Sequence, residues 1–176
     1  NDQYRGQDYS QGAAFLGVGL LLDDGGDDRY DAPRYAQGLG MPGGYGGLVD
    51  RNGTDHYFVG GRDATNYATV GVFDAFGQGC GIGFRGLASG GIGLLRDDAG
   101  DDTYIGHNFA QGGGYFFGWG VLVDPAGDDR YLGSRYAQAW AAHQALGFLE
   151  DHAGNDHYRC WRGVGQSCSW DESITV

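Results

Sequence analysis

Pairs of aspartates five positions apart recur along the 176-residue chain, each pair inside the pattern D-x-x-G-x-D-x-Y. The glycine between them permits a tight turn, so both carboxylates and the intervening carbonyl groups can face one point. Hard oxygen ligands in such a turn are what calcium binds in proteins, at about 2.3–2.6 Å. The candidate calcium ligands are Asp23, Asp28, Asp50, Asp55, Asp97, Asp102, Asp124, Asp129, Asp151 and Asp156.

A second interpretation of these aspartates needs no metal. Asp, Asn and Gly favour turns, and a carboxylate in an Asx-turn can accept backbone N–H groups by itself. The acidic residue that follows the glycine (Asp27, Asp101 or Asp128) is replaced by Thr54 and Asn155 in two copies. We therefore expect that position to be solvated and assign candidate ligands only to the first and sixth positions of the motif.

The motif itself is a repeat that must be positioned by a repeating fold. Its copies begin at residues 23, 50, 97, 124 and 151, and Asn1–Tyr4 matches the second half of a further copy. The steps are 27, 47, 27 and 27 residues, so one period contains a 20-residue insertion. A period of this length with two short strands and two glycine-rich turns is typical of one coil of a β-solenoid.

We therefore predict an all-β fold, a parallel β-solenoid (β-helix) of about six 27-residue coils that forms one domain over residues 1–176. A β-sandwich or a propeller would give a turn every ~8–12 residues or a ~40-residue blade instead. One incomplete calcium shell per coil would be completed by the next coil, because stacked strands lie about 4.8 Å apart.

Three further residue types recur at fixed distances from the motif and support this fold; we call each set of equivalent residues a column. A glycine lies four residues before each full motif, a leucine two residues before it, and a glutamine seven residues after most of the tyrosines. Side chains alternate along a strand, so the constant leucine points inward and its variable neighbour points outward. We expect stacked tyrosines, stacked leucines and a ladder of glutamine amides like those of cross-β stacks.

The insertion is predicted to form loops at about residues 60–75 and 84–90 that leave one coil. Loops on a rigid scaffold often hold binding or catalytic groups. Arg85 with a nearby acid such as Asp74 resembles, in kind only, the arginine-plus-acid sites of β-helix polysaccharide lyases. Exposed aromatic residues would also suit sugar stacking, whereas burial in a thin core is the simpler explanation for them. We find no catalytic triad, nucleophile elbow or zinc-ligand spacing, so an enzyme is the less favoured class.

Composition limits the partners. The net charge is −12, all eleven cations are arginine, and the acids are concentrated in the motifs. Nucleic acid binding is excluded in practice, because phosphates need the opposite sign. No apolar run reaches the ~18 residues of a membrane span. Stacked acidic corners repel one another unless something neutralises them.

The segments Gly26–Tyr30, Gly100–Tyr104, Gly127–Tyr131 and Gly154–Tyr158 resemble the turn of the calcium-binding repeats of RTX proteins. The RTX period is nine residues, so the resemblance covers only the turn. The whole unit is similar to a group of uncharacterised bacterial repeat proteins with G-x-L-x-D-x-x-G-D-D-x-Y units. The RTX resemblance implies calcium as the bound ion, and the bacterial resemblance implies no activity.

These observations predict a calcium-stabilised structural or assembly protein at an extracellular or cell-surface location. Millimolar calcium and a disulfide between Cys160 and Cys168 would both favour that location. The chain begins inside a motif, so we expect a longer precursor. Open solenoid ends pair with other strands, and the expected partners are other copies stacked end to end, other parts of that precursor, or a polysaccharide.

Overall fold

The computed structural model describes residues 1–176 as an all-β chain, which confirms the predicted fold class. None of its elements is a helix of the length and apolarity needed to cross a membrane. The strands, in chain order, are β1 (Gln3–Arg5), β2 (Val18–Leu22), β3 (Arg29–Ala32), β4 (Leu39–Gly40), β5 (Tyr45–Asp50), β6 (His56–Val59), β7 (Asp74–Gly77), β8 (Cys80–Ile82), β9 (Ile92–Asp97), β10 (Thr103–Gly106), β11 (Asn108–Ala110), β12 (Gly113–Tyr115), β13 (Trp119–Asp124), β14 (Arg130–Gly133), β15 (Trp140–Ala142), β16 (Leu146–Asp151), β17 (His157–Cys160), β18 (Cys168–Trp170) and β19 (Ile174–Thr175).

Three parallel sheets form the walls of the solenoid. Each coil adds one strand to each sheet, except that the first coil contributes only the bridge of Ala14 to Gly40 beside the third sheet. The tyrosine sheet has the order β1-β3-β6-β10-β14-β17, and the leucine sheet has the order β19-β16-β13-β9-β5-β2. The glycine sheet has the order β18-β15-β12-β8-β4. Strands β7 and β11 form a short additional pair. Motif positions align across neighbouring coils, as in Tyr104 opposite Tyr57 and Tyr131.

The main core consists of the two predicted apolar columns. Leu48, Leu95 and Leu122 are fully buried and contact the tyrosines of the facing sheet. The tyrosine rings stack nearly parallel from Tyr4 to Tyr158, with centroids 4.7–4.9 Å apart. This distance equals the strand spacing, so the ladder follows directly from the parallel register.

The glycine column before the motif has a packing role that the sequence alone does not reveal. A Cβ atom on Gly46 would lie 2.0 Å from the Leu39 carbonyl oxygen, and one on Gly93 would lie 2.0 Å from that of Cys80. The leucine sheet and the glycine sheet therefore pack backbone against backbone at this column. Any side chain here would separate the two sheets, which explains why glycine recurs at this position.

The glutamine column is buried, but it forms no amide-to-amide ladder. Gln111 Nε2 donates to the carbonyl oxygens of Tyr104 and Leu132, at 3.1 and 3.2 Å, and Gln138 repeats this arrangement one coil later. The glutamines also have positive φ, as at Gln111 (φ 62°). Each side chain thus joins two successive coils through their backbone, and the expectation of cross-β-type amide contacts was wrong.

The two insertions leave the third coil as predicted. The segment between β6 and β7 folds back on itself through an antiparallel bridge between Ala64 and Phe73. The segment after β8 is a hairpin closed by a bridge between Phe84 and Ala88. Buried Asn108 fixes the first loop, since its Nδ2 donates to Thr65 Oγ1 at 2.6 Å and to Asp74 Oδ1 at 3.2 Å.

Candidate metal centre

The D-x-x-G-x-D turns connect each leucine strand to the next tyrosine strand, so their carboxylates stack along one corner of the solenoid. We call this edge the acidic corner. Its aspartates approach one another in four groups of three, each with carboxylate oxygens within 4.8 Å of one another. The groups are Asp23, Asp28 and Asp50; Asp55, Asp97 and Asp102; Asp102, Asp124 and Asp129; and Asp129, Asp151 and Asp156.

These four groups contain all ten of the aspartates proposed from the sequence. Every group draws on two adjacent coils, in accordance with the idea that one coil holds an incomplete shell. Asp102 and Asp129 each belong to two groups. The last three clusters are therefore linked through shared carboxylates, whereas the first cluster shares none with its neighbour.

The first-position aspartates are almost fully hydrogen-bonded by the protein. Asp124 Oδ2 accepts the Tyr104 hydroxyl at 2.7 Å, and Asp97 Oδ2 accepts the Tyr57 hydroxyl at 2.7 Å. The other oxygen accepts a backbone N–H of the same turn, as Asp124 Oδ1 does from Ala126 at 3.3 Å. The Asx-turn interpretation therefore accounts for this column, with the stacked tyrosines as additional donors.

The sixth-position aspartates are only half satisfied. Asp129 Oδ1 accepts the backbone N–H of Asp102 at 2.7 Å, and Asp102 Oδ1 accepts that of Asp55 at 2.6 Å. The second oxygen, Oδ2, has no partner in four successive coils, although these residues are at most 3% exposed. The four residues are Asp28, Asp55, Asp102 and Asp129. Buried polar atoms are normally paired, so these unpaired carboxylate oxygens are the atoms of the acidic corner that could hold a metal ion.

A backbone carbonyl lies beside three of these carboxylates, those of Asp55, Asp102 and Asp129. A Cβ atom on Gly100 would be 1.5 Å from Gly53 O and 3.0 Å from Asp102 Oδ1, and one on Gly127 would be 1.7 Å from Gly100 O and 2.5 Å from Asp129 Oδ1. The motif glycines also have φ between 144° and 158° in most copies, which side chains rarely adopt. Glycine therefore keeps a space open between the carboxylate and the carbonyl of the preceding coil.

Burial and neighbouring negative charges at the acidic corner disfavour the ionised form of several aspartates and raise their pKa values. Burial raises the pKa of Asp55 to about 8, despite the N–H of Asp28 that it accepts. Burial also raises the pKa of Asp102, and the neighbouring Asp97 carboxylate raises it further. Burial likewise raises the pKa of Asp129 and Asp124. In the absence of a cation, Asp55 and Asp102 would favour taking up protons at neutral pH.

The acidic residue after the glycine behaves differently from both columns. Asp128 Oδ1 accepts the backbone N–H of Asn155 at 2.8 Å, and Asp101 Oδ1 accepts that of Asp128 at 2.9 Å. These side chains lie on the solvent-exposed side of the turn. They belong to no oxygen cluster. The sequence analysis left them out of the candidate ligand set and expected them to be merely solvated, but in the structure they join coils.

The tyrosine contacts change in the last full coil. The first four tyrosines of the ladder (Tyr4, Tyr30, Tyr57 and Tyr104) each donate to the first aspartate of the following motif, but Tyr158 donates to Asp151 of its own coil at 2.6 Å. The hydroxyl of buried Tyr131 is left without a partner, as is Asp151 Oδ1. Tyr131 and Tyr104 thus have equivalent ring stacking but different hydroxyl contacts.

The insertion coil does not bring Arg85 to Asp74. Asp74 lines a cleft of about 270 Å³ with Asn66, Tyr67, Phe76, Phe109 and Tyr115. Arg85 instead lines an open cleft of about 540 Å³ with Phe116, His143, Gln144, Asp171 and Glu172. The suggested Arg85–Asp74 pair was wrong because the two loops leave the coil at opposite ends of the β7–β8 segment, and the acids near Arg85 come from the last turn.

Cys160 and Cys168 are not bonded to each other, and all three cysteines are free. Cys160 Sγ donates to the Ser134 carbonyl oxygen at 3.2 Å. The disulfide that would favour an oxidising compartment is thus not formed.

No protein-family model, curated protein or solved structure matches the chain. The resemblance of the turns to RTX repeats therefore stays a prediction from the sequence. The geometry of the acidic corner is the basis for the functional proposal.

Proposed function

We propose that the protein is a calcium-stabilised structural β-solenoid that works in an extracellular or cell-surface assembly. The observation that supports this proposal is the row of buried, unpartnered Oδ2 atoms on Asp28, Asp55, Asp102 and Asp129. Each of these aspartates lies in a cluster of three carboxylates. A divalent cation would both pair with these oxygens and neutralise the cluster.

The donor set favours calcium over other metals. The clusters contain only oxygen atoms, with no histidine or cysteine among them, which disfavours zinc and copper. Calcium accepts irregular shells of carboxylates, carbonyls and water, whereas magnesium demands a near-octahedral shell. Three carboxylates from two coils and the glycine carbonyl beside them suit the less regular ion. When bound, calcium would supply the positive charge that the stacked coils lack.

Protonation is the competing way to neutralise the acidic corner. A protonated carboxyl group donates to one acceptor, as Asp102 would to the neighbouring Asp97 carboxylate, and leaves the rest of the cluster charged. A cation satisfies several such oxygens at once. Calcium is therefore the better partner for the geometry, and the burial that raises the pKa of Asp55 disfavours its charged form when no cation is bound.

The assembly part of the proposal rests on the solenoid ends. The strands β1 and β2 at one end, and β17, β18 and β19 at the other, each pair on one side only. Such edges are templates for further parallel strands. End-to-end stacking of copies, or continuation into other parts of a longer precursor, would pair them and would extend the row of clusters.

The test is the number of calcium ions bound per chain, measured by elemental analysis after equilibrium dialysis. We compare the wild type with Asp102→Asn and with Asp101→Asn. Both substitutions remove one charge from the same turn and retain an acceptor oxygen, but only Asp102 belongs to clusters, and it belongs to two of the four.

We expect several calcium ions in the wild type, fewer in Asp102→Asn, and no change in Asp101→Asn. Absence of calcium from the wild type, or equal losses in both variants, would contradict the proposal. The elemental analysis includes magnesium and zinc, so a different resident ion would also be detected and would overturn the choice of calcium.

A second candidate function is carbohydrate binding at the insertion coil. The cleft beside the first loop contains Tyr67, Phe76, Phe109 and Tyr115, with Asp74 and Asn66 as hydrogen-bonding groups. Stacked aromatic rings and a few polar groups suit a sugar ring. The Arg85 cleft, which also contains His143, Asp171 and Glu172, is where cleavage of an acidic polysaccharide would be sought.

A glycan array followed by calorimetry on hits would test this second function. Sugar binding that is lost in Tyr67→Ala and kept in Tyr45→Ala would support it, because Tyr45 lies on the leucine sheet. No binding to any glycan, or equal binding by both variants, would reject it.

A further inference from the structure

The outer face of the leucine sheet is an exposed apolar surface on an otherwise acidic protein. Three outward positions on each strand form three columns across the sheet, because they alternate with the buried glycine and leucine columns. We call this surface the outer leucine-sheet face. Its members are Val18, Leu20, Leu22, Tyr45, Gly47, Val49, Ile92, Leu94, Arg96, Trp119, Val121, Val123, Leu146, Phe148, Glu150, Ile174 and Val176.

The face is accessible to solvent. Val18 is 73% exposed, Trp119 is 52% exposed, and Leu20, Leu22, Ile92 and Ile174 are also exposed. The next residues along the chain form a polar rim, with Asp24 paired to Arg51 and Asp98 paired to Arg96. A contiguous apolar surface with a polar rim marks an interaction site.

Only two charged residues interrupt the face, and both lie in the column nearest the rim. Arg96 is on β9 and Glu150 is on β16, so each lies one strand away from the central β13. Asp98 and His152 continue the two strands into the rim. Arg96 therefore precedes Asp98 at the end of β9, and Glu150 precedes His152 at the end of β16.

We propose that the outer leucine-sheet face pairs with the same face of a second copy of this chain. The two-fold axis runs along β13, parallel to the strands, so that β9 of one copy lies over β16 of the other. Arg96 then faces Glu150 of the second copy, twice in each dimer, and Asp98 faces His152. Ile92 lies opposite Leu146, Leu94 lies opposite Phe148, and Val121 lies opposite itself.

Other symmetric pairings give Arg96 and Glu150 no partner of opposite charge in the second copy, so that only Asp98 and His152 of their own chain remain. An axis along β9 would place Arg96 against Arg96 of the second copy. An axis along β16 would place Glu150 against Glu150 of the second copy. An axis parallel to the stack would place Arg96 opposite the Ile92 column and Glu150 opposite the Leu146 column. Charges buried between apolar sheets are costly unless the opposite face compensates them, so the axis along β13, which brings opposite charges together, is favoured.

The area of the face is sufficient for a weak dimer. Five overlapping strands about 4.8 Å apart, with three outward positions on each, cover roughly 500 Å² per copy. The total of roughly 1,000 Å² is at the lower limit of specific interfaces. We therefore expect dissociation in the micromolar range. The pairing closes at two copies, unlike end-to-end stacking, which continues to longer filaments.

Sedimentation velocity in calcium buffer, from about 1 to about 200 μM protein, tests the proposal on the full chain. The informative variants are Val121→Glu, Arg96→Glu, and the double charge swap Arg96→Glu with Glu150→Arg. The control is Arg130→Glu, which makes the same charge change on the outer face of the tyrosine sheet. A thermal melt of each variant verifies folding, since all of these side chains except Val121 are exposed.

We expect a monomer–dimer equilibrium in the wild type and in Arg130→Glu. Val121→Glu should weaken the dimer by about 100-fold or more, because two identical charges face each other on the axis. Arg96→Glu should weaken it by about 10-fold, and the charge swap should recover most of that loss. A wild type that is monomeric throughout, larger open assemblies that ignore Val121→Glu, or a charge swap that restores nothing would each overturn the proposal.

Discussion

The two aspartate columns of the acidic corner have the same side chain in the same turn but different partners. In the first column, tyrosine hydroxyls and turn N–H groups occupy both carboxylate oxygens of Asp97 and Asp124. In the sixth column, Asp102 and Asp129 use one oxygen to bond the preceding coil and leave the other without a partner. The first column is thus explained by turn chemistry, whereas the sixth column has free oxygens that could hold a metal ion.

Removal of calcium should have the largest effect. A ligand bound only by the native state stabilises it by about 2.7 kcal/mol per site at one hundred times its dissociation constant. Several sites along one stack would therefore lower the melting temperature by tens of degrees after chelation, for the ~4 °C per kcal/mol typical of this size. Differential scanning calorimetry with and without EGTA would measure the shift, and an unchanged melt would contradict a bound ion.

The pH dependence of the calcium-free protein should have the opposite sign from acid denaturation. Burial raises the pKa of Asp55 from 3.8 to about 8, so between these values the folded state binds a proton that the unfolded state does not. The stabilisation that Asp55 contributes is complete below pH 3.8 and is lost as the pH rises through about 8. Urea unfolding of the calcium-free protein should therefore show falling stability from about pH 4 to about pH 8.

Calcium should reverse this slope, because protons compete with the ion for the same oxygens. Parallel urea titrations with saturating calcium would then show stability rising over the same range. Identical slopes in both conditions would mean that the ion does not bind at the acidic corner.

The contrast within the tyrosine ladder can be sharpened by a pair of substitutions. Tyr104→Phe removes the hydroxyl that Asp124 accepts at 2.7 Å and leaves a buried carboxylate oxygen unpaired. The loss should be about 1–3 kcal/mol. Chemical denaturation at constant calcium concentration would measure it, and a loss below about 0.5 kcal/mol would show that this hydrogen bond adds nothing net.

Tyr131→Phe should have the smallest effect. Its ring stacks between Tyr104 and Tyr158 as the other rings do, but its hydroxyl has no partner. Removing an unpaired buried hydroxyl should change the free energy of unfolding by less than about 0.5 kcal/mol or raise it slightly. A cost equal to that of Tyr104→Phe would mean that the hydroxyl contact of Tyr131 differs from the one described above.

The period predicted the coil, the tyrosine and leucine ladders and the positions of both insertions, because in a parallel stack an equal spacing along the chain becomes a contact in space. It also predicted the members of the oxygen clusters, since aspartates at fixed motif positions must stack. The hydrogen-bond partners of the repeated side chains were not predictable from the sequence. For example, the local backbone direction places the amides of Gln111 and Gln138 beside backbone carbonyl groups, to which they donate.

The glycine column at Gly46 and Gly93 is a similar case. The repetition was visible in the sequence, but its cause is the close approach of the glycine sheet, which involves residues from other parts of the coil. The loops of the insertion coil have no repeat to align them, and for that reason the pairing suggested for Arg85 was wrong.

The most direct measurement is the melting temperature of Asp102→Asn relative to the wild type and Asp101→Asn, with calcium and without it. The neutral amide should relieve repulsion in the calcium-free protein and raise its melting temperature, while with calcium it should remove a shared ligand and lower the melting temperature. Asp101→Asn should shift neither. A change of the same sign in both conditions for Asp102→Asn would contradict a calcium site in the sixth column.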